Sequence, residues 1–336
     1  MSPPTDLPFA DLTPDCVLDA LYSVGLQCDG RLLALNSYEN RVYQIGIEDG
    51  PPVVVKFYRP QRWSDAAILE EHAFVAELAA EEIPVVPALT LADNTLNAFG
   101  GYRFAVFPRQ GGRPPELGDP DTLEWMGRFI GRIHAVGARL PFAARPALDV
   151  VSFGAQPRDY LLAHHFIPDD ILAAWHSVVD QALGRVQQCF ERAGAVRTLR
   201  LHGDCHMGNV LWVEEAKEAR DNGPHFVDFD DARMGPAIQD LWMLLSGTRA
   251  EMALQLSHVL EGYEDFFNFD PRELHLIEAL RTLRLIHYAA WIAQRWHDPA
   301  FPLAFPWFNT QRYWQDRILE LREQTALMDE PPLQLL

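Results

Sequence analysis

The sequence predicts an α+β chain in two lobes: a small N-terminal lobe built on an antiparallel sheet and a larger, mostly helical C-terminal lobe. Three observations carry this. Short runs rich in β-branched and aromatic residues crowd residues 1–108. Apolar residues at helical spacing dominate residues 109–336. Where one pattern gives way to the other lies Pro108-Arg109-Gln110-Gly111-Gly112-Arg113-Pro114-Pro115, the expected hinge. With 336 residues, 48% of them hydrophobic, the chain is long enough for two cores.

Thr13-Pro14-Asp15 reads as a helix N-cap with proline in the first turn, and Gly25 as the stop. Leu18, Leu21 and Tyr22 give that helix an apolar face. Residues 31–35 and 42–47 read as strands around the loop Asn36–Arg41, and Asp49-Gly50-Pro51 as a turn. Val53–Phe57 is a buried-type strand carrying one lysine. Ser64 starts a helix running to about Glu82, with Ile68, His72, Val75 and Leu78 at helical spacing, and Pro84 and Pro87 end it. Strands are expected around 88–92 and 102–107. Beyond the hinge, helices are expected at about 120–138, 157–164, 168–193, 236–247, 249–268, 271–296 and 310–327. The strong strand pair of this half is the flank of one loop, Leu199–Leu201 before it and Val210–Val213 after it.

That loop is His202-Gly203-Asp204-Cys205-His206-Met207-Gly208-Asn209. An Asp with an Asn five positions on is the spacing of a phosphoryl-transfer catalytic loop. Downstream, Phe226-Val227-Asp228-Phe229-Asp230 is an apolar strand ending in carboxylates. Phosphoryl transfer needs one carboxylate to orient the attacking hydroxyl and accept its proton. It needs an amide oxygen and a second carboxylate to hold magnesium against the phosphates. Asp204, Asn209 and Asp228 fit those roles in that order. D-x-x-x-x-N alone arises by chance in turns, but the order strand, loop, strand, carboxylate is harder to reach by accident.

A lysine on a buried strand must reach solvent or meet a charge. For Lys56 the downstream loop favours the phosphates of ATP plus a helix carboxylate. Glu70 and Glu71 both offer that carboxylate, and Glu71, beside the packed face, is preferred. Neither G-x-G-x-x-G nor G-x-x-x-x-G-K-[ST] occurs, so Asn36–Asn40 is placed over the phosphates, with Ser37 and the following backbone N–H groups as donors. Asp230 reads either as a second carboxylate near the metal or as part of a solvated cluster. Asp240 reads either as a brace for the catalytic-loop backbone or as a carboxylate facing a helix dipole. His202 and His206 would need a helix to share zinc, and Gly203 and Gly208 argue for a loop, so no zinc site is expected. Cys205 is open to oxidation or, in the preferred reading, packed. His134 reads as a satisfied core or interlobe histidine. A cleft between two such lobes is a usual place for a nucleotide.

Together these residues resemble the aminoglycoside/choline kinase-like branch of the protein-kinase-like fold, which has His-Gly-Asp-x-x-x-x-Asn where protein kinases have His-Arg-Asp. Within that branch the chain is very similar to a bacterial serine/threonine protein kinase over nearly its whole length. Asn36–Gln44, Val54–Pro60, Leu201–His206, Gly235–Leu245 and Glu330–Leu335 carry the match. The resemblance implies a cytoplasmic, ATP- and Mg2+-dependent enzyme acting on Ser/Thr hydroxyls of proteins in envelope and oxidative stress protection. It implies Asp204 as proton acceptor, Asn209 and Asp228 on magnesium, and Ser37 at the ATP site. A monomer is expected. Gly203 stands where many protein kinases have an arginine, Asp240 follows Asp228 closely, and no Ala-Pro-Glu follows. By mechanism alone a small-molecule kinase, of aminoglycoside, choline or homoserine type, is the alternative. A non-catalytic ATP-binding regulator is the other.

The net charge of −19 argues against nucleic acid and anionic lipid as partners. No run approaches the ~20 apolar residues of a membrane span. Met1-Ser2-Pro3-Pro4-Thr5-Asp6 lacks the basic region and apolar core of a secretory signal. The four cysteines show no C-x-x-C spacing and are expected as free thiols in a reducing cytoplasm.

Overall fold

The computed structural model describes residues 7–214 and 222–335; Met1–Asp6, read above for a signal, lie outside them. The described residues fall into two compact units. The first comprises the chain up to Pro115 with Ala143–Arg145 and Gly208–Asp230; the second comprises Glu116–Phe142, Pro146–Met207 and Asp231 onward.

The first unit opens with α1 (Pro14–Ser23), whose N-cap Thr13 accepts a hydrogen bond from the Cys16 N–H at 3.2 Å. Strands β1 (Cys28–Ala34), β2 (Arg41–Ile47), β3 (Val53–Phe57), β4 (Asn97–Phe99) and β5 (Tyr102–Pro108) form one antiparallel sheet in the order β1-β2-β3-β5-β4. Side chains alternate across it. Val53, Val55 and Phe57 bury with Ile45, Phe104 and Val106 in a core that includes Val17 and Leu21 of α1. Lys56 therefore faces the other way, its register partners being Val42 and Ala105. Helix α2 (Asp65–Ala80) starts at the Ser64 cap and buries Ile68, Glu71, His72, Val75 and Leu78.

The strand expected at 88–92 is not formed. Pro84 and Pro87 lack donors, Leu89 gives one hydrogen bond to Val106 at 2.7 Å, and Leu91 turns back on Asn94. The strand beside β5 is β4 instead. The two strands flanking the loop also do not pair with each other. β6 (Leu199–Leu201) pairs with β9 (Arg233–Gly235) in the second unit, and β7 (Val210–Val213) with β8 (Gly223–Phe226) in the first. Neither partner strand was expected as β6's or β7's mate, because pairing depends on what the chain does after the loop.

The second unit is mostly helical: α3 (Pro120–Gly137), α4 (Gln156–Ala163), α5 (Asp169–Ala193), α6 (Ile238–Trp242), α7 (Arg249–Tyr263), α8 (Ile277–Gln294), α9 (Ala300–Ala304) and α10 (Gln311–Asp329). α3 and α7 approach so closely that a Cβ at Gly127 would collide with the Val259 carbonyl. Trp175 of α5 meets Trp314 of α10 edge-on at 6.0 Å. The helix expected over 236–247 is the single turn and a half of α6. The one expected from 271 opens as a 3-10 segment, Pro271–Leu276, in which Glu273 accepts the Ile238 N–H at 2.8 Å. No helix among the described residues is long and apolar enough to cross a membrane.

Candidate active site

In the first unit, the faces of β2, β3 and β5 turned away from the α1 core border a cavity of about 370 Å³. Val42, Val54, Val86, Phe107, Leu211 and Val227 make it apolar. Ser37, Lys56, Glu71, Asn209 and Asp228 supply its polar wall, so five of the six expected site residues line one space. Its size suits a nucleotide-sized ligand.

Asp228 takes a left-handed backbone, φ 61°, a conformation that is uncommon outside glycine and that Asp and Asn adopt more readily than other L-residues. Its carboxylate reaches Lys56 Nζ at 3.0 Å, while its side chain stays 55% exposed. Lys56 itself is buried. Glu71 lies at 3.8 Å and Asp230 at 3.2 Å from the same ammonium. Burial alone would lower the Lys56 pKa, but Asp228, Asp230 and Glu71 together raise it well above the usual lysine value. The three carboxylates thus favour the charged ammonium. Burial lifts the Glu71 carboxyl to about 7, against the opposing pull of Lys56 and Arg145.

The choice between adjacent glutamates is decided by packing. Glu71 is buried beside Lys56, whereas Glu70 accepts the backbone N–H groups of Ala143, Ala144 and Arg145. Asp230 is buried and so is not part of a solvated cluster. It pairs with Arg62 and Lys56 and accepts from the Asn40 amide at 3.2 Å. Asn40 also caps the Arg59 N–H at 3.0 Å, and Arg59 meets Glu39 at 2.9 Å. The loop Asn36–Asn40 is thus anchored by its own polar residues, with Ser37 on the cavity wall.

Asp204 belongs to the second unit. Its backbone neighbours are held by Asp240, which accepts the His202 N–H at 2.8 Å and the Gly203 N–H at 2.9 Å. Asp240 is 1% exposed and is braced in turn by His134, whose other ring nitrogen meets Tyr263 Oη at 2.8 Å. Of the two readings of Asp240, the brace is the one observed, and His134 is a satisfied core histidine. Gly203 sits at φ 86°, and a Cβ there would collide with the Asp231 carbonyl. An arginine cannot occupy this position without moving backbone. Asp204 meets Arg284 at 2.5 Å and His206 at 3.4 Å. Burial would raise its pKa, but the His206 hydrogen bond and the Arg284 charge outweigh that and hold it below the usual value. Burial and the carboxylates of Asp240 and Asp204 push the Cys205 thiol well up, so it packs as a neutral group.

Arg62, Arg145 and Arg284 escaped the sequence reading. No local pattern marks them, because each acts on a partner 74 to 168 positions away.

Residues 31–277 match the model of a family described as phosphotransferase enzymes. The chain is 45% identical to stress response kinase A of Escherichia coli (strain K12) over 327 residues, 97% of each chain. It is 47% identical, again over 97% of each, to serine/threonine protein kinase RdoA of Salmonella typhimurium. Among solved structures it is similar to amicoumacin kinase hAmiN in complex with AMP-PNP, Ca2+ and Ami, with TM-score 0.70, 19% identity and coverage of 95% and 94%. It is also similar to a microcompartment-associated aminopropanol kinase, with TM-score 0.69, 16% identity and coverage of 93% and 96%.

Proposed function

The chain belongs to the phosphotransferase enzyme family, and from that premise we propose that it is an ATP- and Mg2+-dependent serine/threonine protein kinase. The cavity carries this reading. A buried lysine faces an exposed carboxylate, with an amide and a serine on the same apolar-walled space. Identity to the two kinases above, one of them named a serine/threonine protein kinase, extends far beyond those residues. The stress role in the name of the Escherichia coli relative extends to this chain on the same ground, and a cytoplasmic place is proposed because free thiols suit it.

Lys56 holds the α/β-phosphates, and Ser37 with the backbone N–H groups after it covers them. Asp204 orients a Ser/Thr hydroxyl and accepts its proton as the oxygen bonds to the γ-phosphorus. The bond from that phosphorus to the bridging oxygen breaks, and ADP leaves. Asn209 and Asp228 fit magnesium, since an amide oxygen and a solvent-open carboxylate are hard oxygen donors. Bound there, the ion would neutralise charge on the phosphates. Asp228→Asn and Asn209→Ala are expected to shift the rate-against-magnesium curve to higher concentration, each by softening or removing one oxygen donor. Unchanged curves in both variants would place the metal elsewhere.

One observation favours a small-molecule acceptor. After Asp228 the chain is used up by a 3-10 turn, Phe229–Asp231, the strand β9 and then α6, so little is left to dock a peptide. Turnover on proteins should be compared with choline, aminoglycosides and homoserine at equal Mg-ATP. Transfer to protein Ser/Thr is expected; transfer to a small alcohol alone would overturn the protein-kinase reading.

The enzyme should be active as expressed. Loop phosphorylation activates by creating Arg–phosphate pairs, and the close approach at Gly203 leaves no arginine beside Asp204 in sequence. Phosphatase treatment followed by an assay on a basic protein acceptor should leave the rate unchanged. A collapse that ATP preincubation restores would reveal a regulatory phosphosite.

A further inference from the structure

Helix α2 carries two adjacent carboxylates that do different work. Glu70 accepts hydrogen bonds from the backbone N–H groups of Ala143, Ala144 and Arg145 at 2.7, 2.9 and 3.0 Å. That anchor lays the Arg145 side chain, 0% exposed, along the same helix. Its Nε donates to the Ala67 carbonyl at 2.8 Å, one terminal nitrogen to Glu71 Oε2 at 2.9 Å, and the other to the Asp230 carbonyl at 3.1 Å. The guanidinium also lies 4.8 Å from the Trp63 ring centroid. One planar cation thereby ties together the α2 backbone, the Lys56 partner and the backbone two residues past Asp228.

We propose that Arg145 is a positioning residue, a permanent clamp that aims Glu71 at Lys56 and does the work that a phosphorylated loop does elsewhere. The inference rests on the kinase reading above and adds a residue to it. Glu71 is divided between two cations, and its nearer one is Arg145 at 2.9 Å, not Lys56 at 3.8 Å. A buried carboxylate without a partner would turn away or take up a proton. The fork geometry of arginine fixes direction as well as charge, which a lysine cannot do. Because this cation is part of the chain and never loses its charge, the Lys56–Glu71 pair needs no covalent modification to form.

The test uses the full chain with the variants R145Q, R145K, E71Q and R145Q/E71Q. Affinity for a fluorescent ATP analogue with magnesium is read alongside kcat, KM for ATP, KM for the acceptor and Tm. R145Q should weaken nucleotide binding and lower kcat by about tenfold, leaving the acceptor KM unchanged. R145K should recover part of the loss. In the E71Q background R145Q should cost little more, because the group it aims is already gone. Additive losses, or loss of Tm with wild-type affinity per folded molecule, would make Arg145 a structural residue only. If R145Q does not fold, R145K carries the test, and wild-type affinity and kcat in R145K would overturn the proposal. Wild-type protein that binds no nucleotide would instead sink the kinase reading itself, so the two failures are distinct.

Discussion

Asp204→Ala is expected to lower phosphoryl transfer by about 10²–10⁴-fold while the protein keeps its fold. The start of the loop is held independently of this side chain, since Asp240 accepts the His202 and Gly203 N–H groups. Removing Asp204 leaves Arg284, 40% exposed, free to turn to water, so no charge is stranded in the interior. Initial rates read beside far-UV circular dichroism check both halves. A folded variant with wild-type turnover would remove Asp204 from the chemistry. A pH profile adds a second reading. The Asp204 pKa is depressed by the His206 hydrogen bond and the Arg284 charge despite burial, so its proton-accepting form persists to lower pH than an ordinary aspartate's. Taking away a cation raises that pKa. Arg284→Ala should therefore move the acid limb of the rate profile to higher pH. An acid limb that stays in place would show that Arg284 does not set the charge of Asp204.

Lys56→Met is the second large effect, and it falls on activity and stability together. The ammonium lies within 3.8 Å of Glu71, 3.0 Å of Asp228 and 3.2 Å of Asp230. Methionine keeps the length and loses the charge. Removing one partner of a buried ion pair typically costs about 3–5 kcal/mol, because the other is left without compensation. Loss of a charge aimed at the transferring group typically costs about 10²–10³ in kcat. Glu71→Gln should act in the same direction by less, since Lys56 then keeps two carboxylates. Denaturant unfolding, kcat and KM for ATP measure these terms, and the Lys56/Glu71 double mutant gives their coupling. Additive effects on kcat would mean that Glu71 does not work through Lys56.

The sequence was most informative where chemistry is written in local pattern. Asp204, Asn209 and Asp228 sit at fixed spacings within a strand–loop–strand run, and Lys56 on a buried strand had to reach solvent or meet a charge. The α1 and α2 caps were readable for the same reason, because the Thr13 and Ser64 side chains bond backbone three residues on. The segment at 88–92 misled because an apolar run has strand propensity whether or not a neighbouring strand offers it a ladder.

What the sequence determined by itself was thus the candidate site residues, the caps and the α+β class, since each follows from neighbours a few residues apart. Tertiary structure alone decided which of two adjacent glutamates faces Lys56, for both carboxylates are equal until α2 packs one of them inward. It alone made Asp230 a buried anion rather than a solvated one. It alone explained Gly203, through the Asp231 carbonyl that leaves no room for a side chain. It alone brought Arg145 to Glu71 across 74 positions of chain. Periodicity reports which face of an element is apolar. It carries no information on which distant charge will meet another, because that depends on how the elements pack and on the cost of burying an ion without its partner.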